Sequence, residues 1–205
     1  MGADGSAIRK LGLVPRTYLL TVGRLEPRKN HAGLLHAFSK LASPRPKLVI
    51  AGQRDFGYLE IFNLIDTLGL RDDVLVLEQV DDLTLPALYR SALAFVYPTW
   101  AEGFGMPVLE AMASGVPILT SESTALPEVA GDAAIYFHAG DTQAMSASIG
   151  KIVSDVDLRS KLIDRGLRRV ADFDWERSAS VLLRSYENYF GLNPSANSIH
   201  GGVNA

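Results

Sequence analysis

LAFVYPTWAEGFGMPVLEAMASGVPILTS, residues 93–121, holds a strand, a loop, a helix and a second strand in one run. LAFVYP (93–98) is a short apolar run with β-branched and aromatic side chains, ended by Pro98 and Thr99. The loop that follows carries Gly103 and Gly105. Pro107 suits the first turn of a helix, where its missing N–H leaves nothing unpaired. VLEAMAS carries that helix on, over 107–114, and Gly115 stops it as a C′ residue. VPILTS (116–121) then returns as a strand. Two strands joined by such a crossover pair in parallel, and the crossover is right-handed.

The rhythm continues in both directions. Further strands are expected at TYLLTV (17–22), KLVIAG (47–52), VLVLEQV (74–80) and AAIYFHA (133–139). Their near-continuous apolar character fits parallel strands covered on both faces. Helical patterns lie between them, at 31–42, 58–68 and 83–91, with a short turn at 126–129. Helices alone follow the last strand, at 141–154, 157–170 and 175–190. The fold class is therefore α/β: a doubly wound parallel sheet of six strands with helices at the carboxyl end. An opening helical scrap at 6–11 leads straight into the first strand, as in a fragment cut from a longer enzyme. A single domain is expected over 1–190, and a disordered tail over the polar 191–205.

The composition narrows the function. With 205 residues, 47% hydrophobic and 21% charged, the chain can bury an ordinary core. A net charge of −3 with no basic stripe argues against nucleic acid. The chain has no cysteine, which excludes disulfides, zinc–thiolate sites and thiol nucleophiles. The start, MGADGSAIRK, has no hydrophobic signal region, and no apolar run is long enough to cross a bilayer. A soluble protein with room for peripheral membrane contact is the expectation.

In doubly wound sheets, ligands sit at the carboxyl ends of the strands. After the first strand comes GRLEPRKN (23–30), where Gly23 lets the backbone turn and Arg24, Arg28 and Lys29 supply three cations. Arg and Lys together suit a diphosphate. A solvated basic turn explains the same residues, and Asn30 can cap the helix that follows. After the fourth strand, the glycine loop and helix start offer unpaired amides and a partial positive charge, a seat for an anion. Glu110, one turn in, can accept from ribose hydroxyls, and Glu102 faces whatever lies beyond the phosphates. A capped helix with two surface glutamates accounts for an isolated pair. The preceding strand, the two glycines and Pro107 together turn the reading towards a site. After the third strand, Asp81 or Asp82 caps a helix, or places a carboxylate beside a base, which favours guanine over uracil. His31 and His36 are expected on a helix surface. The four histidines, with His138 and His200, show no spacing for a metal. Trp100 either stacks on a ring or packs against the strand end.

Gly-Arg…Pro-Arg-Lys-Asn at 23–30, Pro-Thr at 98–99, Glu-Gly-Phe-Gly-Met-Pro-x-Leu-Glu-Ala-Met-Ala at 102–113, Gly-x-Pro at 115–117 and Leu-Pro-Glu-Val at 126–129 resemble the family-four retaining glycosyltransferases. These have the GT-B architecture of two Rossmann-like domains facing across a cleft. The likeness spans about 10–190 and covers the carboxyl-terminal, donor-binding half. It implies that Arg24 and Lys29 grip the donor diphosphate, assisted by Gly23. Glu110 would hold the ribose and Glu102 would sit by the transferred sugar. The segment of Phe104, Gly105, Met106, Pro107 and Leu109 would meet phosphate and sugar, and Val80 the base, with Asp82 beside it. The resemblance implies no metal and a nucleotide diphosphate sugar as substrate, with GDP-mannose favoured on the acidic base loop.

The resemblance also implies a missing amino-terminal domain that brings a glycan or lipid-linked acceptor and a catalytic His. Alone, this chain is expected to transfer little or nothing. Its last helix would leave Tyr186 and Tyr189 exposed, or drive self-association. Surface-polysaccharide synthesis at the cytoplasmic face of the membrane is the implied setting. Retention of configuration allows a double displacement through a glycosyl-enzyme on Glu102. It also allows attack from the leaving-group face, with Arg24 and Lys29 stabilising the departing diphosphate. The second is preferred, because the departing charge is the larger electrostatic problem. A GT-B epimerase or phosphorylase-type transferase, and a non-catalytic nucleotide-sugar-binding or assembly module of a larger polymerase, are the rivals.

Overall fold

A computed structural model describes residues 3–191. Helix α1 (Ala3–Lys10) precedes β1 (Tyr18–Val22), and a 3-10 turn at Pro27–Lys29 runs into α2 (His31–Ser39). Then follow β2 (Lys47–Ala51), α3 (Tyr58–Thr67), β3 (Val74–Leu77), α4 (Thr84–Ser91), β4 (Ala94–Tyr97) and α5 (Met106–Ala113). After β5 (Ile118–Ser121), α6 (Leu126–Ala130) and β6 (Ala134–Phe137) come α7 (Thr142–Ser154), α8 (Val156–Val170) and α9 (Trp175–Tyr189). The six strands form one sheet in the order β3-β2-β1-β4-β5-β6, every pairing parallel. The order reverses between β1 and β4, which makes their carboxyl ends the switch point where such sheets open a crevice.

Burial explains why these runs became strands. Leu19, Leu48, Ile50, Ala94, Val96 and Leu119 are fully buried, packed with Leu34, Leu35 and Phe38 of α2 and with Met145, Ile149 and Ile152 of α7. The helices start on side-chain caps where the sequence provides them. The Asn30 carboxamide oxygen accepts from Gly33 N at 3.2 Å, and Asp141 Oδ1 accepts from Gln143 N and Ala144 N at 3.0 and 2.8 Å.

Element edges differ from the sequence reading where side chains leave the sheet. The third strand stops at Leu77, so 78–80 form a loop and not strand. Met106 opens α5 ahead of Pro107, with Gly105 at its amino end at a φ of 97°. A Cβ on Gly105 would stand 2.5 Å from Leu126 Cδ2, so that position needs glycine twice over.

The chain divides into two compact units, the first ending at Val170 and the second starting at Ala171, where the sequence reading drew one domain to 190. Within the second unit, Asp174 caps α9 by accepting from Glu176 N at 3.0 Å. The side chains of Trp175, Leu183, Tyr186 and Tyr189 on α9 are exposed. Of the tail expected at 191–205, all but Gly191 lies outside the described residues, as does His200.

Candidate functional site

At the switch point, the loops after β1 and β4 are tied into one structure. Lys29 Nζ donates to Glu102 Oε1 and to Tyr97 Oη, both at 2.7 Å. Tyr97 Oη donates in turn to Glu102 Oε1 at 3.0 Å, and Arg28 Nη1 reaches the same oxygen at 2.9 Å. Thr99 Oγ1 lies 3.0 Å from that oxygen and 2.9 Å from the Arg28 carbonyl, so its single proton serves one of them at a time. Trp100 N donates to Arg28 O at 2.9 Å, and Asn30 Nδ2 donates to Pro98 O and Ala139 O at 2.9 and 2.8 Å.

The pair is nearly closed off, with the Lys29 and Glu102 side chains each 10% exposed. Burial works to raise the Glu102 carboxyl. The Lys29 hydrogen bond and charge, then the Tyr97 and Thr99 hydroxyls, overcome that and hold it below the usual range. Burial first, and the Glu102 charge second, push the Tyr97 phenol up, so it stays a protonated donor.

Gly23 also makes room for a neighbouring side chain. A Cβ there would meet Lys29 Cδ and Cε at 3.1 Å, so the missing side chain is the slot through which the Lys29 stem passes.

The second carboxylate is anchored in the same manner. Tyr89 Oη donates to Glu110 Oε2 at 2.9 Å, from α4 across to α5. At the start of α5, Gly105 O accepts from Val108 N at 2.9 Å, and Phe104 and Met106 are exposed. The first-turn amides of such a helix end present donors outward.

Beyond this, at the carboxyl ends of β1, β2 and β3, lies a hollow of about 510 Å³. Val22, Ala51, Gly52 and Gln53 form one side, and Glu78, Gln79, Val80, Asp81 and Leu85 the other. A Cβ on Gly52 would sit 1.9 Å from the Gly23 carbonyl oxygen, so only glycine lets these two loops touch. Asp81 is the residue that caps α4: its Oδ1 accepts from Thr84 N at 2.6 Å and Leu83 N at 3.2 Å. Asp82 is exposed and is not among the residues lining the hollow.

The structure thus gathers Gly23, Lys29 and Glu102 at the centre, places Met106 to Glu110 on α5 with Gly105 at its cap, and sets Val80 in the outer hollow. Arg24 does not join the Lys29 cluster: its guanidinium pairs with Asp55 at 2.9 Å, with 68% of the side chain exposed. Trp100 is half exposed and lines a second hollow of about 240 Å³ with Glu26, His31 and Glu60.

His31 corrects the sequence reading, being 2% exposed and not on the helix surface. Its Nε2 lies 3.1 Å from the Arg24 carbonyl oxygen, and its Nδ1 is buried without a hydrogen-bond partner among the described residues. Burial lowers its pKa to about 4, so it is neutral at physiological pH. His36 is exposed, as expected.

Tyr89, Tyr97 and Thr99 were missed. The available signal was a tyrosine ending an otherwise apolar strand, since a buried phenol seeks a polar partner. Among the described residues, no group of three or more His, Cys, Asp or Glu side chains could hold a metal, and no helix is long and apolar enough to cross a membrane.

Comparison with known proteins adds a family model, glycosyl transferases group 1, which matches residues 7–169. O-antigen chain mannosyltransferase B of Escherichia coli is 38% identical over 184 residues, covering 88% of this chain and 48% of that protein. Sucrose-phosphate synthase from Thermosynechococcus elongatus superposes with a TM-score of 0.81 at 27% identity, over 92% of this chain and 49% of that one. Anabaena HepE, solved in complex with UDP-glucose, gives a TM-score of 0.82 at 20% identity over 92% of this chain and 53% of its own. The chain therefore spans about half the length of each of these proteins.

Proposed function

The chain belongs to the glycosyl transferases of group 1, and on that premise we propose that it is the donor-binding half of a retaining hexosyltransferase. It takes a nucleotide diphosphate sugar, with GDP-mannose favoured, and serves surface-polysaccharide assembly. One observation carries this reading: the Lys29–Glu102 pair is held at the switch point of the sheet, its glutamate on the loop that leads directly into the helix bearing Glu110. The mannosyltransferase relative supports mannose as the sugar, and HepE bound to UDP-glucose supports the donor class.

The Lys29 ammonium has three N–H donors and gives two to Tyr97 and Glu102, which leaves one for a diphosphate oxygen. The amides at the start of α5 take the anion from the other side. Arg24, released from Asp55 at the surface, joins Lys29 on the departing diphosphate. Glu110 accepts from the ribose and Val80 borders the base. The hydrogen bonds to Glu102 fall on Oε1, so Oε2 is the oxygen left to orient a sugar hydroxyl. A carboxylate stabilised by this many donors is a weak nucleophile, which favours attack from the leaving-group face over a covalent intermediate.

Calorimetric titration of the chain with GDP-mannose, GDP, UDP and UDP-glucose tests the proposal. The expected result is binding of the guanine nucleotides ahead of the uracil ones. Equal or tighter binding of UDP would overturn the choice of base, and no binding of any nucleotide would overturn the donor site.

A further inference from the structure

Both glutamates that the proposal assigns to the donor are held by buried tyrosine hydroxyls, and the two tyrosines are parts of one packed stack. Tyr89 is 2% exposed and Tyr97 1%. The Tyr89 ring stands 5.4 Å from that of Phe95, and Phe95 5.6 Å from Tyr97, centroid to centroid. At one end of this stack Tyr89 donates to Glu110 Oε2, and at the other Tyr97 donates to Glu102 Oε1. Phe95 is fully buried in β4, paired with Leu20 of β1 and Ile118 of β5, so the stack is fixed to the centre of the sheet. Lys29 Nζ lies 5.2 Å from the Tyr97 ring centroid and also donates to its hydroxyl, so that tyrosine orients both members of the central ion pair.

We propose that Tyr89 and Tyr97 are positioning residues, which set the orientation of Glu110 and Glu102 towards a nucleotide sugar from a common aromatic support at Phe95. This rests on the donor-site reading above. A carboxylate on a short loop or one turn into a helix has rotamers to spare, and a donor fixed in the core removes them before a ligand arrives. The converse role, in which the glutamates merely satisfy two buried phenols, makes different predictions.

Two isosteric variants test the proposal, each keeping the ring and removing the donor, and Tyr89→Phe separates the two roles. In the ligand-free chain, the Glu102 carboxyl is followed by carbon-13 NMR against pH. In Tyr97→Phe it should titrate about half a unit or more higher than in the parent, because a donor to the ionised form is gone. An unchanged titration overturns the assignment of Tyr97 whatever the chain binds. Tyr89→Phe is titrated calorimetrically with GDP and with 2′,3′-dideoxy-GDP, alongside Glu110→Gln. The parent should prefer GDP, and both variants should lose about fivefold of that preference. Preference lost in Glu110→Gln but kept in Tyr89→Phe overturns the role of Tyr89 and leaves the ribose assignment standing. Preference absent from the parent, or kept in Glu110→Gln, overturns the ribose assignment and the part of Tyr89 with it.

Discussion

Around Glu102, donors from the loops after β1 and β4 and from the end of β4 converge on one carboxylate oxygen: Lys29, Arg28 and Tyr97, with the Thr99 hydroxyl shared between it and the Arg28 carbonyl. Around Val80, beyond the edge strand β3 of the same sheet, the charged groups at the rim pair with each other across the surface. Arg24 meets Asp55, and Arg54 meets Glu78 at 2.6 Å while lying over the Tyr58 ring at 4.9 Å. The centre is closed, cross-linked and built before any ligand arrives. The outer hollow is open, and the ion pairs at its rim are solvent-exposed, a setting in which such pairs contribute little. That contrast matches what each end is proposed to do. Stabilising a leaving diphosphate needs fixed charges, whereas a base rests on backbone and an apolar side chain and tolerates a mobile rim.

If the centre is rigid because its ions are buried together, removing one should cost the fold itself. Lys29→Met leaves Glu102 enclosed with Arg28 as its remaining cation. It should lower unfolding stability by about 3 kcal/mol, measured by urea denaturation. A loss no greater than that of an exposed lysine would mean the centre is no tighter than the rim.

The seam between centre and hollow is Gly52 against Gly23, and it is tested next. Gly52→Ala drives a methyl into the Gly23 carbonyl and should destabilise by about 2 to 3 kcal/mol. It should also displace the Lys29 stem, visible as a shifted Lys29 ammonium signal by NMR.

His31 extends the rigid region under the centre, and its buried, neutral state makes the prediction pH-dependent. Its folded pKa of about 4 lies below the ordinary value, so the unfolded chain binds more protons in the window between them. Stability from this residue is full above that window and falls as pH drops through it, by about 2 kcal/mol between pH 7 and pH 5. In His31→Gln the loss over that range should shrink, read from urea midpoints at the two pH values.

The smallest effect on the fold belongs to the rim. Arg24→Ala should leave the unfolding midpoint unchanged, as expected for an exposed ion pair, yet weaken GDP-mannose binding. A variant that altered stability and left binding intact would reverse the proposed division.

The fold was legible because parallel strands buried on both faces must be apolar throughout, as TYLLTV and KLVIAG are, and because helix punctuation such as Pro107 and Gly115 is local. Strand ends were less so. VLVLEQV reads as seven residues of strand, but the chain turns out of the sheet at Glu78 to border the hollow. Within the candidate site, the residue types at 23–30 and 102–110 pointed to the crevice. Their pairing did not. Nothing in the sequence says that Lys29 will spend its charge on Glu102 while Arg24 turns to Asp55, since that depends on the closeness of β1 to β4 and on a slot at Gly23. His31 looked like a surface residue because polar side chains at a helix start usually are. It is buried, with its Nε2 against the Arg24 carbonyl that precedes the 3-10 turn.

A crystal structure of the chain grown with GDP-mannose addresses the central claim head-on. The expected result is the diphosphate between the Lys29 ammonium and the first amides of α5, ribose hydroxyls on Glu110, and guanine in the hollow beside Val80. A nucleotide seated anywhere else, with the Lys29–Glu102 pair facing no phosphate, would contradict it.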